Sequence, residues 1–200
     1  MTPQREDSAR LEKLLGDLYA ERAPRDETHS AVSDVILSRL QCARVSMWKF
    51  AGADDDMTLL CFASKTADGV LDTSDRRLQR DEFIDYFNGL VGTATYMSVD
   101  AMNDPALQPM RGSYLVANNV VSMLDAAFVL NSRTYGMVCC EEPYRREWRP
   151  GDVVSLRAIV NKLALLMWNA PDSVLLKNPS LPLHVLPADP EKPPHDPRRR

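Results

Sequence analysis

Histidine is scarce in this chain of 200 residues. His29, His184 and His195 are the only three, one in an N-terminal amphipathic stretch and two in a proline-rich C-terminal region. A Ser-His or Cys-His nucleophile pair needs an imidazole within hydrogen-bond reach in a packed site, and no histidine lies among the central apolar segments. The four cysteines, Cys42, Cys61, Cys139 and Cys140, have no CxxC spacing. No His/Cys/carboxylate cluster has ligand spacing either, so neither a catalytic residue nor a metal site is expected. No apolar run approaches the roughly 20 residues of a membrane span. MTPQREDSARLEKLL lacks the apolar centre of a signal peptide, which leads to a cytoplasmic expectation. Basic residues are not in surplus: the net charge of −4 argues against a general nucleic-acid binder.

What is present is a chain that can build a core, with 44% hydrophobic residues. Ser8–Glu21 places Leu11, Leu14, Leu15 and Leu18 at helical spacing, with Asp7 or Ser8 as N-cap. Thr28–Cys42 does the same with Val32, Val35, Ile36 and Leu40. Arg44–Ala51 and Met57–Thr66 have strand composition and flank a turn at 52–56. The three aspartates at that turn lack the spacing of a calcium loop and read as a solvated tip. Val70–Leu78 suits a short edge strand, Asp81–Leu90 a helix ended by Gly89 and Gly92, and Thr95–Val99 a short strand. Ala101–Pro109 reads as a loop, and Met110–Asn118 as a helix with Asn118-Asn119 as a left-handed cap. Pro150 suits the first turn of a closing helix carrying Val153, Leu156, Ile159, Val160, Leu163, Leu166 and Met167. Eight of the 14 prolines fall between Pro171 and Pro197, a composition that excludes a helix or central strand and suits a disordered tail.

The most informative stretch is Val121–Glu142, two β-branched and aromatic runs around Asn131-Ser132-Arg133. Side chains alternate along a strand, so Ser122, Leu124, Ala126, Phe128 and Leu130 share one face. Met123, Asp125, Ala127 and Val129 share the other. A carboxylate amid Met, Ala and Val is costly if dry, so Asp125 requires a partner or a cavity. It would either accept hydrogen bonds from a bound small molecule, or cap a helix or pair with an internal arginine such as Arg111. Glu141 suits an inter-strand pair or a ligand contact. Cys139 and Cys140, adjacent on one strand, point to opposite faces.

The ordered set of motifs resembles the GAF family of bacterial signalling domains, in the version fused to histidine kinases and diguanylate cyclases. Arg44-Val45-Ser46-Met47-Trp48 matches its first strand and Tyr86-Phe87 its middle helix. Asp100-Ala101-Met102-Asn103-Asp104-Pro105 and Tyr114-Leu115 follow in order. Ser122-Met123-Leu124-Asp125-Ala126 matches the strand motif, Gly136, Cys139 and Glu141 its hairpin partner, and Arg146 with Trp148 the start of the last helix. Ala127 replaces the motif's proline, and Cys140 stands where a histidine often follows the cysteine. The Cys-His pair that carries a bilin in phytochrome-like members is absent, as is the signature linked to cyclic-nucleotide binding, so no cofactor is expected.

The resemblance implies an α+β fold: a central antiparallel sheet of about five to six strands, terminal helices on one face and a ligand-type pocket under 70–118 on the other. It divides the chain into an N-terminal helical extension (1–27), a GAF-like domain (28–169) and a proline-rich tail (170–200). It implies a sensor of an unidentified small molecule that acts through a signalling protein partner as a homodimer, with no nucleic acid and no membrane. The alternative is a degenerate scaffold that acts only in protein contacts. The candidate ligand-binding residues are Asp125, Met123, Trp48, Tyr86, Phe87, Tyr96, Tyr114, Cys139 and Glu141.

Overall fold

A computed structural model of the chain describes residues 3–51, 58–72, 76–130, 133–168 and 181–182. The turn at 52–56 with its aspartates, the hairpin tip at 131–132, and the tail apart from Leu181–Pro182 lie outside the described residues.

Two helices, α1 (Pro3–Tyr19) and α2 (Arg25–Leu40), precede the strands β1 (Arg44–Ala51), β2 (Thr58–Thr66), β3 (Leu71–Asp72) and β4 (Arg76–Gln79). Helix α3 (Arg80–Thr93) and strand β5 (Thr95–Ser98) follow. Next come a 3-10 turn (Pro105–Met110) and a π-helical turn (Arg111–Val116), then β6 (Ser122–Leu130), β7 (Arg133–Glu142), α4 (Pro150–Trp168) and β8 (Leu181–Pro182). The sheet runs β3-β2-β1-β7-β6-β5, with β4 added to β2 and β8 to β7. Every pairing is antiparallel. The expected α+β architecture is therefore present, with the main path at the expected six strands.

Strand alternation divides the interior into two cores. Val45, Met47, Leu124, Ala126, Phe128, Val138 and Cys140 face a helical layer built from Leu11, Leu15, Val32, Ile36, Leu40, Leu156, Val160 and Leu163. Trp48, Phe50, Met123, Ala127, Met137 and Cys139 face the opposite layer, where α3 and the 101–120 segment supply Phe83, Tyr86, Phe87, Leu90, Leu107, Tyr114 and Leu115. Removing any one of these large buried rings would cost about 3–5 kcal/mol. Gly136 pairs with Lys49 at the end of the β1–β7 ladder, and an added Cβ there would sit 2.1 Å from the Trp48 carbonyl oxygen. No larger residue fits there without moving the β1 backbone.

Four local expectations are corrected. Helix α1 begins at Pro3 rather than Asp7 or Ser8, because proline is tolerated in a first turn and Asp7 is engaged with Arg39 instead (2.7 Å). Helix α3 runs through Gly89 and Gly92 to Thr93. Gly89 is kept inside the helix because the Tyr96 ring lies 3.0 Å from where its Cβ would be. The segment read as a loop from Ala101 is wound into the 3-10 turn from Pro105, where the Asp104 carboxylate accepts from the Ala106 amide at 3.1 Å. The helix read over Met110–Asn118 is a π-helical turn that stops at Val116. Asn119, at φ 53°, does take the left-handed conformation expected of the Asn-Asn pair.

Candidate functional site

The face of the sheet beneath α3 carries two acids on neighbouring strands, Asp125 of β6 and Glu141 of β7. They are exposed by 0% and 1% respectively. Their surroundings differ.

Glu141 lies directly opposite Arg44 in the β1–β7 register. The Arg44 Nε donates to one carboxylate oxygen. The Tyr114 hydroxyl donates to the other, and Ser46 Oγ stands 3.5 Å from the same oxygen. Ser46 in turn accepts from the Trp48 indole N–H at 2.8 Å, and Trp48 and Tyr114 meet edge to face at 5.2 Å. Burial alone would push the Arg44 guanidinium down, but Glu141, with Tyr114 and Cys61 adding to it, outweighs burial and the net shift is upward. Burial, reinforced by the Glu141 charge, raises the Tyr114 hydroxyl well above the phenol range. This is a buried ion pair with both oxygens satisfied, and losing either partner would strand a charge.

Asp125 has less. Tyr86 of α3 donates to its Oδ2 at 2.6 Å, and the same hydroxyl lies 2.9 Å from the Met137 sulfur. The Cys139 thiol, on the residue paired with Asp125 across the sheet, is close enough to interact with the carboxyl. Yet Oδ1 has no aligned hydrogen-bond partner. Burial pushes the Asp125 carboxyl well above the carboxylate range, opposed by the Tyr86 hydrogen bond and reinforced by the Glu141 charge. Burial likewise raises Tyr86 and Cys139, each further raised by Asp125. Among the described residues no arginine partners Asp125, so the pairing with Arg111 is corrected: Arg111 is exposed, and Tyr86 takes that role. Tyr96 completes the surroundings, edge to face with Tyr86 at 4.8 Å while donating to Asp104 at 2.8 Å.

All nine residues singled out from the sequence belong to this layer, but they form two clusters. Asp125, Tyr86, Tyr96 and Cys139 make one, and Glu141, Tyr114 and Trp48 the other. Met123 and Phe87 pack in the surrounding core, Phe87 against Phe50 at 5.0 Å. The space expected to be a pocket is filled by these side chains, with Trp48, Tyr86 and Phe87 at 2% exposure or less. A cavity of about 340 Å³ instead lies on the helical side, lined by α1, Arg39 of α2, and α4. Sequence reasoning missed Ser46 and Arg44 as the supports of Glu141 and Met137 as the neighbour of Tyr86. Their signal was strand alternation, which puts Ser46 on the same face as Trp48, and Met137 on the same face as Cys139.

Other motif residues have structural work. Arg146 donates to Glu142 at 2.7 Å and to the Leu40 and Gln41 carbonyls at 2.7 and 2.9 Å, and its guanidinium stacks 4.1 Å from the Trp148 ring centre. Asp100 accepts from Arg145 at 2.7 Å and from Asn103 at 2.9 Å. Among the described residues no group of three His, Cys, Asp or Glu side chains converges as a metal site. No described helix is long and apolar enough to cross a membrane.

Two layers on an antiparallel sheet, with an acid on each of two adjacent strands beneath α3, can be set beside known structures. A far-red cyanobacteriochrome photoreceptor superposes with a TM-score of 0.58 at 12% identity, over 71% of this chain and 85% of that one. The blue-light-absorbing form of the PixJ GAF domain of Thermosynechococcus elongatus gives 0.54 at 15% identity, over 83% and 87%. The fold is GAF-like. The chromophore-binding domain of the bacteriophytochrome RpBphP3 from R. palustris gives 0.59 at 11% identity, with this chain spanning 62% of its length. No family model and no curated protein matches the sequence.

Proposed function

We propose that this chain is a cytoplasmic GAF-like regulatory module without catalytic activity. It binds a small molecule between the sheet and α3 and passes the change to a protein partner, as a homodimer assembled through α1 and α4. The observation that carries this reading is Asp125. Six described buried side-chain atoms lack a hydrogen-bond partner, and the Asp125 oxygen is the one that belongs to a carboxyl. A buried acceptor left unmade costs roughly 1–3 kcal/mol, which a bound donor would recover. Tyr86, hydrogen-bonded to the other carboxyl oxygen, and Tyr96, paired with Asp125 across β5 and β6, supply the mainly apolar surroundings with few polar groups that suit a small-molecule site. The similar structures include, by name, a photoreceptor and a chromophore-binding domain, which supports the reading of this fold as a sensor of a small molecule. The absence of catalysis in this reading rests on buried thiols, with burial raising Cys61 to about 12, and on His29, which packs its ring against Phe62 at 5.1 Å.

The filled space beneath α3 favours a second reading, a scaffold whose ligand site has closed. Native mass spectrometry of freshly purified protein separates the two. The sensor reading expects a small molecule retained by the wild type and lost from Asp125→Asn. Bare protein in both samples, with no thermal stabilisation from a metabolite library, would hand the case to the scaffold.

A further inference from the structure

Strand β7 outlasts its neighbour on one side. β1 pairs with it from Arg44↔Glu141 to Lys49↔Gly136 and then keeps only β2, through Phe50↔Leu59 and Ala51↔Thr58. On the other side β7 stays with β6 as far as Leu130↔Arg133. Arg133, Thr134 and Tyr135 therefore carry one backbone edge that neither β1 nor β6 uses. Unpaired N–H and C=O groups along such an edge are a template for another extended segment.

Leu181–Pro182 lies on this edge. It pairs antiparallel with β7, Pro182 opposite Arg133 and Leu181 opposite Thr134, and with no other described strand. A proline is accepted there because the segment is an outer strand with no ladder on its far side. The proline-rich composition that excludes a helix or a central strand is compatible with this one position. The chain can also reach it. Helix α4 ends at Trp168, and residues 169–180 extend over about 40 Å at most. The nine-residue β6 beside β7 spans only about 30 Å.

We propose that the β7 edge at 133–135 is a docking site for an extended segment, and that its occupant is this chain's own Leu181–Pro182, which makes the C-terminal tail a detachable strap on the sheet. Recognition is through backbone pairing, the mode of strand addition to an open sheet edge. Two paired residues hold weakly, and the tether supplies the missing affinity by keeping the segment at high local concentration. The strap grips the strand that carries Met137, Cys139 and Glu141, so its release frees the outer end of that strand. The inference goes beyond the small-molecule reading and does not depend on it.

The test uses the full-length protein. Directly opposed residues of an antiparallel pair have Cβ atoms about 4.5–5.5 Å apart, so Arg133→Cys with Pro182→Cys brings two thiols within reach of a disulfide. With diamide as oxidant this pair should close within one chain about tenfold faster than Arg133→Cys with Glu191→Cys. The four native cysteines are buried, and peptide mapping locates the new bond. Hydrogen exchange supplies a second readout without added thiols. Ser180→Pro with Leu181→Pro leaves 180–182 without an N–H, and exchange of the 133–135 amides should then quicken about fivefold over the wild type. If the cysteine variant fails to fold, this comparison carries the test. Equal cross-linking of the two cysteine pairs, or exchange at 133–135 indifferent to the proline changes, overturns the docking. Cross-links that join two chains instead of closing within one overturn the assignment of the occupant.

Discussion

Asp125 and Glu141 sit on adjacent strands, on the same face, at almost identical burial, and the fold treats them oppositely. Glu141 has an arginine across the strand pair, a tyrosine hydroxyl and a serine, so its charge is compensated and both oxygens are used. Asp125 has one phenol and a thiol, with an oxygen left over and a carboxyl pushed towards neutrality. The difference shows that burial alone does not mark a functional acid. A compensated acid is explained by the architecture, whereas an undercompensated one is not.

Substitutions should pull the two further apart. The largest effect is expected at Glu141. Glu141→Ala strands the Arg44 guanidinium in a buried site and should lower unfolding stability by about 3–5 kcal/mol in urea titrations. A loss below about 1 kcal/mol would mean that Arg44 reaches water and that the pair is not structural. The two tyrosines come next. Tyr114→Phe removes a donor to a carboxylate and should cost about 1.5–3 kcal/mol. Tyr86→Phe removes a donor to a carboxyl already driven towards neutrality and should cost about 0.5–1.5 kcal/mol. Equal losses would erase the contrast.

Asp125→Asn should be smallest near pH 4 and change with pH. The folded-state pKa of Asp125 lies above its unfolded value, so its contribution is intact below the unfolded pKa and lost as pH rises through the folded one. The asparagine variant carries no such loss, and should gain on the wild type as pH is raised from about 4. A constant gap across that range would show that Asp125 is ionised and satisfied in the native protein.

Much of this architecture was legible from residue order. The alternation of Leu124, Ala126 and Phe128 against Met123, Asp125 and Ala127 assigns each side chain to its observed layer, because a strand leaves no other choice. The Arg146 and Trp148 pair marks the start of α4 because the guanidinium stacks on the indole while binding two carbonyls at the end of α2. The length of α3 was hidden, since Gly89 looks like a stop signal until Tyr96 is seen lying against it. The partner of Asp125 was hidden for a different reason. Tyr86 is 39 positions away, on an element of another type, and no local pattern connects the two. The pocket expected under 70–118 was inferred from resemblance, and the bulk of Trp48, Tyr86 and Phe87 occupies that space.

Glu141 and Glu142 are consecutive, so they emerge on opposite sides of β7. The first secures the layer of Tyr114, and the second holds Arg146, which ties down the end of α2 and reaches Asp152 in the first turn of α4 at 3.5 Å. One peptide unit thus joins the fastenings of both halves of the molecule. A small rotation of the backbone there would turn both fastenings at once, as a single axle turns two wheels.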